Sequence, residues 1–418
     1  MQRKTTLTNG IRVVTEFMPD VYSASVGFWV ENGSRHEAGP LNGISHFLEH
    51  MLFKGTSRRS VLDIAREADS FGGTLNAFTT REYSCYYAKV LSNRLSDAVD
   101  LLSDMILNST LDSAEIEKER RVILQEISMV EDTPEDHVHD LFSEKIWNRH
   151  PLGLPVLGKA GSVKLISRDD LQQLLNHRYL GQNLIVTAAG KLDHDLFCHW
   201  IDTAFCFLPA GEARKRCDLP LYQPGTYLLT KPLEQIHFCL GCKALPQTHD
   251  DRFALQILNT ILGASMSSRL FQSVREERGL AYSIYSYLNC HSDAGNLVVY
   301  CGTAVDELPQ VFDLIMEQFR SLKNDPILGN EISMAREQIK GNLLLSLEGS
   351  DSRMSRLARN EIYFAYQPEL ESIITSLDHV DMNSVSRVAQ NIFVPDSMTL
   401  QAVGNLNDLT VSLNDLTL

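Results

Sequence analysis

The sequence predicts two α+β domains of one plan, each a mainly antiparallel sheet packed with helices. Three observations carry this expectation. The chain has 418 residues, too many for one ordinary core. Segments alternating apolar and polar residues are interleaved along the chain with longer stretches of helical period. The order of elements up to residue 208 then recurs, diverged, beyond residue 225.

Taken in order, "IRVVTEF" and "SASVGFWVE" read as strands, and "GISHFLEHMLFKG" as a helix. "VLDIAREADSFGG" reads as a helix stopped by a glycine pair, and "TLNAFTTREYSCYYAKVL" as a two-stranded hairpin. Three helical stretches follow, "RLSDAVDLLSDMIL", "SAEIEKERRVILQEISMVE" and "PEDHVHDLFSEKIW", then a helix near 169–178, the strand "NLIVTAAG" and a helix near 193–204. Residues 209–225, rich in Pro, Gly and charge, read as a linker. Strands at "TYLLTK" and "IHFCLGCKA", a helix "DRFALQILNTIL", a short helix ending at "REERG", strands "AYSIYSYLNC" and "NLVVYCG", long helices and a last strand "MTLQAVG" repeat the plan. The expected division is therefore 1–208, a linker at 209–225, and 226–418.

Hydrophobic content of 44% and charged content of 22% are those of a globular protein, and no apolar run reaches the length of a membrane span. The net charge of −15 argues against nucleic acid as partner. No apolar signal core precedes "IRVV", so a cytoplasmic location is expected. Of the eight cysteines only Cys239 and Cys242 have motif-like spacing. Three apart on a strand, they point to opposite faces, and reduced, buried thiols are expected.

The chemistry gathers in residues 43–55. His46 and His50, four apart, stack on one side of a helix, and Glu49 leans toward the same side. Two imidazoles one turn apart can both reach a single cation at about 2.0–2.1 Å. Two core histidines, each hydrogen-bonded to a carbonyl, is the plainer reading of such a pair. The intervening glutamate weighs against it, because an unpaired buried carboxylate is costly whereas a zinc site needs one as general base. H-x-x-E-H is also the inverted zincin pattern. A third ligand should come from another helix. In "AEIEKERRVILQEISMVE", Glu119 and Glu126 are two turns apart on one face. Glu126 sits among apolar residues and reads as the ligand. Glu119, in the charged half, reads either as a partner orienting a ligand or as a solvated ion pair with a neighbouring arginine. In the second copy, His46, Glu49 and His50 fall against Gln256, Asn259 and Thr260, and Glu119 and Glu126 against Arg336 and Leu343. The metal chemistry is absent there while the helical frame persists.

"HFLEHMLFKGT", with Glu126 76 positions after His50, resembles the pitrilysin/insulinase-type inverted zinc peptidases. The branch it resembles is that of the mitochondrial processing peptidase and its bacterial relatives. "LNAFTTREYSCYYAKVL" and "SSRLFQSVREERGLAYSIYS" extend the resemblance over nearly the whole chain. It implies a zinc-dependent endopeptidase cleaving unfolded or short peptides, with one Zn²⁺ per chain on His46, His50 and Glu126. Glu49 is then the catalytic base, with Glu119 assisting. The resemblance also implies two homologous domains facing each other as a clamshell, and substrate adding a strand to a sheet edge near Asn76 and Ala77. Arg275 and Tyr282 match a pair that holds substrate backbone or stabilises the oxyanion; without the resemblance they would read as a surface ion pair and a strand tyrosine. The processing peptidase draws a glycine-rich loop from a partner chain. No long glycine run occurs here, so the resemblance points to the bacterial homodimers. The alternative is a non-catalytic peptide-binding or assembly subunit of the same fold, with zinc hydrolysis of a small non-peptide molecule as a third class.

Overall fold

In the computed structural model, which describes residues 2–212 and 218–406, strands form where the apolar runs lie. In the first half these are β1 (Gln2–Thr6), β2 (Arg12–Phe17), β3 (Ser23–Val30), β4 (Thr74–Thr79), β5 (Ser84–Leu91) and β6 (Leu184–Gly190). In the second half they are β7 (Gly225–Thr230), β8 (Gln235–Ala244), β9 (Ala281–Cys290), β10 (Gly295–Ala304) and β11 (Met398–Gly404). The first sheet has the order β1-β2-β6-β3-β5-β4, the second β7-β11-β8-β10-β9. All pairs are antiparallel except β2–β6 and β7–β11, which are parallel. Apart from β1, the second order is the first one repeated strand for strand. The two-domain α+β plan is therefore present, and its duplication extends to strand direction.

β1 is the one strand the sequence analysis did not assign. Its QRKTT composition offers no apolar face. It forms because the Gly10 turn, with φ +90°, folds it back antiparallel on β2, where it is an edge strand.

The chain segregates into two compact units, but not at the expected boundaries. One unit comprises residues 1–128, 154–218 and 344–367; the other 129–153, 219–343 and 368–418. Each half thus sends one helix to the other unit's sheet. The reason lies in the strands. β3 and β6 are buried on both faces and mostly apolar, interrupted only by small hydroxyl residues such as Ser25 and Thr187, so each sheet needs two covering layers. In the first unit one face packs on the helices Ile44–Leu52, Leu95–Asn108 and His194–Phe205. The other face, with Trp29, Cys85, Ile185 and Ala189, receives Met354 and Ala358 of helix Ser350–Phe364. In the second unit helix Pro134–Ile146 does the equivalent, laying Val138, Phe142 and Ile146 on Cys239, Val298 and Tyr300. The expected linker falls partly outside the described residues, at 213–217, as does Cys217. The seven described cysteines are free, and Cys239 and Cys242 belong to the cores on opposite faces of their sheet. Among the described residues no helix is long and apolar enough to cross a membrane.

Candidate metal centre

Helix Ile44–Leu52 is set by its own N-terminus. Gly43 caps it at φ +95°, and a Cβ there would meet Leu157 O at 2.7 Å. The buried Glu37 carboxylate accepts the backbone N–H groups of Gly43 (2.7 Å) and Ser45 (2.8 Å) and the Asn42 amide (3.0 Å). A helix N-terminus presents unsatisfied donors, so a carboxylate is well matched to it. Ile44, Phe47, Leu48, Met51 and Leu52 bury the inner face, which fixes the rotation of the helix and hence where its histidines emerge. Helix Ser113–Asp132 packs into the same core through Ile116, Ile123 and Ile127, placing Glu119 and Glu126 beside that stripe.

The two helices converge on one point. His46 Nε2 lies 3.8 Å and His50 Nε2 3.7 Å from the same atom, Glu126 Oε2. One ligand atom from each of the three residues lies within 4.8 Å of the other two, the one such cluster among the described residues. Four-coordinate zinc holds its ligand atoms about 2.0–2.1 Å from itself, and so roughly 3.3 Å from one another. The donors are slightly wider than that and of the right chemistry: two imidazoles and a carboxylate. Burial, and secondarily His50, lower the His46 pKa to about 3, so its ring is neutral and offers a lone pair. Its Nδ1 is buried with no hydrogen-bond partner. The residues fit zinc.

Glu119 is not the solvated arginine pair weighed above. Only 6% exposed, it binds Lys54 Nζ through Oε1 at 2.8 Å and accepts His50 Nδ1–H through Oε2 at 3.0 Å. Burial alone would raise its pKa, but the hydrogen bonds from Lys54 and His50 outweigh it and the net shift is downward. With its proton on Nδ1, His50 has Nε2 free for a metal. Glu49, between the histidines, accepts a 2.6 Å hydrogen bond from Thr79 Oγ1 at the end of β4. Burial raises its pKa, and the neighbouring Glu126 adds to that. Thr79 and Lys54 are the two site neighbours the sequence analysis missed. Lys54, four after His50, continues the helical spacing and could have been found; Thr79 is brought in only by strand pairing.

Asn76 and Ala77 lie on the same β4, an edge strand of its sheet, with the Asn76 amide oxygen accepting Ala77 N–H at 2.8 Å. In the other unit, Arg275 stacks over the Tyr282 ring at 5.0 Å and over Phe271 at 4.8 Å, while Tyr282 is 82% exposed. In the second copy, the helix matching the His46 helix uses Asn259 to accept Ser286 Oγ–H at 2.7 Å, a structural bond.

Residues 12–160 match the model of the insulinase peptidase family M16, and residues 165–339 that of the M16 inactive domain. The chain is 42% identical over 396 residues to the uncharacterized zinc protease YmxG of Bacillus subtilis, covering 95% of this chain and 97% of that one. It is likewise 42% identical over 395 residues to an uncharacterized zinc protease of Mycobacterium tuberculosis, covering 93% and 90%. A protease from Helicobacter pylori shares the fold, with TM-score 0.90 at 21% identity over 97% of this chain and 99% of that one. So does a Pseudomonas fluorescens structure described as a peptidase M16 inactive domain, with TM-score 0.89 at 18% identity over 99% and 98%. By sequence over nearly its whole length, the chain belongs to the insulinase family of peptidases, family M16.

Proposed function

We propose that this protein is a zinc-dependent endopeptidase that cleaves unstructured peptides, with one zinc per chain on His46, His50 and Glu126. The observation that carries the reading is the convergence of two imidazoles and one carboxylate from helices some 70 residues apart in sequence on a point beside Glu49. Family membership and relatives named zinc proteases support it. When bound, zinc would acidify water and polarise a substrate carbonyl. The protein's own part is proton handling. Glu49, its pKa raised by burial, accepts the water's proton and returns it to the departing amine nitrogen, as a general base does. Thr79 fixes one of its oxygens, so the carboxylate does not rotate between the two transfers. The open side of β4 at Asn76 and Ala77 offers main-chain hydrogen bonds to an extended peptide, which binds without demanding a sequence. Arg275, stacked on the exposed Tyr282 ring, and Tyr282 itself are further proposed to hold substrate backbone, and a homodimer is the proposed assembly.

The test is cleavage of an unstructured peptide with and without chelator, alongside Glu49→Gln. The variant should keep one zinc per chain and lose at least about 100-fold in kcat, the scale of a general base. Undiminished cleavage by Glu49→Gln would refute the role of Glu49. Peptide binding without chelator-sensitive cleavage would favour the non-catalytic subunit instead.

A further inference from the structure

Lys54 lies just past the end of the His46 helix, whose C-cap is Phe53, and four residues beyond His50, so it emerges on the side that carries the site. Its ammonium contacts Glu119 Oε1 at 2.8 Å, and the other oxygen of that carboxylate takes the His50 Nδ1 proton at 3.0 Å. His50 Nε2 then faces Glu126 Oε2 at 3.7 Å. The chain of contacts is Lys54, Glu119, His50, metal position. The Glu119 side chain is 8% exposed, so each oxygen needs a partner, and the lysine is the partner of the one that does not touch the histidine. Three carboxylates, Glu49, Glu119 and Glu126, surround this small volume. A carboxylate with a free oxygen next to a dication can turn and compete as a ligand.

We infer that Lys54 is a positioning residue for the metal centre, one that ties down Glu119 so that this carboxylate orients His50 and stays out of the coordination shell. The inference rests on the zinc reading above and adds a residue to it. Removing the ammonium frees Glu119 Oε1, loosens the His50 ring and allows the carboxylate to swing. Direct partners of a metal-bound histidine, as Glu119 is here, typically carry about 10–100-fold in metal affinity, which bounds what Lys54 can contribute through it.

The experiment measures zinc affinity of the full chain by competition with a chromogenic chelator, together with thermal melting of the metal-free protein. Lys54→Met is expected to bind zinc about 10–100-fold more weakly, and Lys54→Arg to keep wild-type affinity. If Lys54 acts through Glu119, the double variant Lys54→Met/Glu119→Gln binds no more weakly than Glu119→Gln alone. Should Lys54→Met fail to fold by the melting measurement, Lys54→Ala, which also removes the donor to Glu119, carries the same comparison. Wild-type affinity in the neutral variant overturns the inference, as do fully additive losses in the double variant. Because Glu49→Gln is measured beside them, the zinc reading is judged separately: if neither wild type nor Glu49→Gln binds zinc, that reading fails, whereas tight binding by both leaves Lys54 alone in question.

Discussion

His46 and His50 are one residue type a single turn apart, yet their surroundings assign them differently. His50 has its Nδ1 proton accepted by Glu119, whereas His46 has no hydrogen-bond partner at Nδ1 and is held by burial. A group whose folded pKa, about 3, lies below its ordinary 6.5 binds fewer protons folded than unfolded between those values. Stability of the metal-free protein therefore rises with pH across about pH 3–6.5, by up to about 1.4 kcal/mol per pH unit from this one group. Urea unfolding of chelator-treated protein at several pH values should show the slope, and His46→Gln should flatten it. An unchanged slope in the variant would mean that another group carries the acid sensitivity.

The site depends on an element whose position is settled at its first residue. Gly43 has φ +95°, in the left-handed region, and backbone atoms of Leu157 and Gly158 stand 2.7 and 2.8 Å from where a Cβ would sit. Gly43→Ala therefore strains the backbone and pushes on a main-chain segment that cannot yield like a flexible side chain. A cost of about 1–3 kcal/mol is expected, read as a lower urea midpoint, with weaker zinc binding because the histidines move with the helix. Unaltered stability would show that the cap relaxes freely. The other end of the same helix runs into Arg59, whose guanidinium contacts Glu67 and Asp104 at 2.7 Å and Asp100 at 2.6 Å. The loop carrying Lys54 is thus anchored at Arg59 by three carboxylates.

At the scale of the whole chain, the exchange of helices makes neither half self-sufficient. Met354, 1% exposed, is contributed by the second half of the sequence but packs on the first sheet beside Trp29 and Ile185. Helix Ser350–Phe364 is also held by Glu361, which pairs with Lys4 at 2.7 Å and Arg12 at 3.6 Å, and by Arg353, which pairs with Glu16. Met354→Ala should destabilise by about 2–5 kcal/mol, the range for a buried methionine truncation. Hydrogen exchange should report the loss in β3 and β6 of the first sheet, not in β8 and β10. Loss confined to the second sheet would contradict the exchange.

Much of this was legible in the sequence, and the reasons divide by range. Periodicity is local, so the longer helices and all strands but β1 appear where apolar spacing puts them, while the four-residue helix Ala160–Val163 forms in a stretch that reads as loop. β1 lacks an apolar face and exists only because β2 has an edge to pair with. The spacing of His46, Glu49 and His50 follows from one helix, and the carboxylate among the apolar residues of a second helix pointed to Glu126. Tertiary structure alone decided three things: that the two helices bring those donors to a common point, that Thr79 at the end of β4 reaches Glu49, and that one helix from each half covers the other unit's sheet. A sequence records which face of an element is apolar, but not which distant surface that face will meet, because that choice is made by the shape of the assembled core.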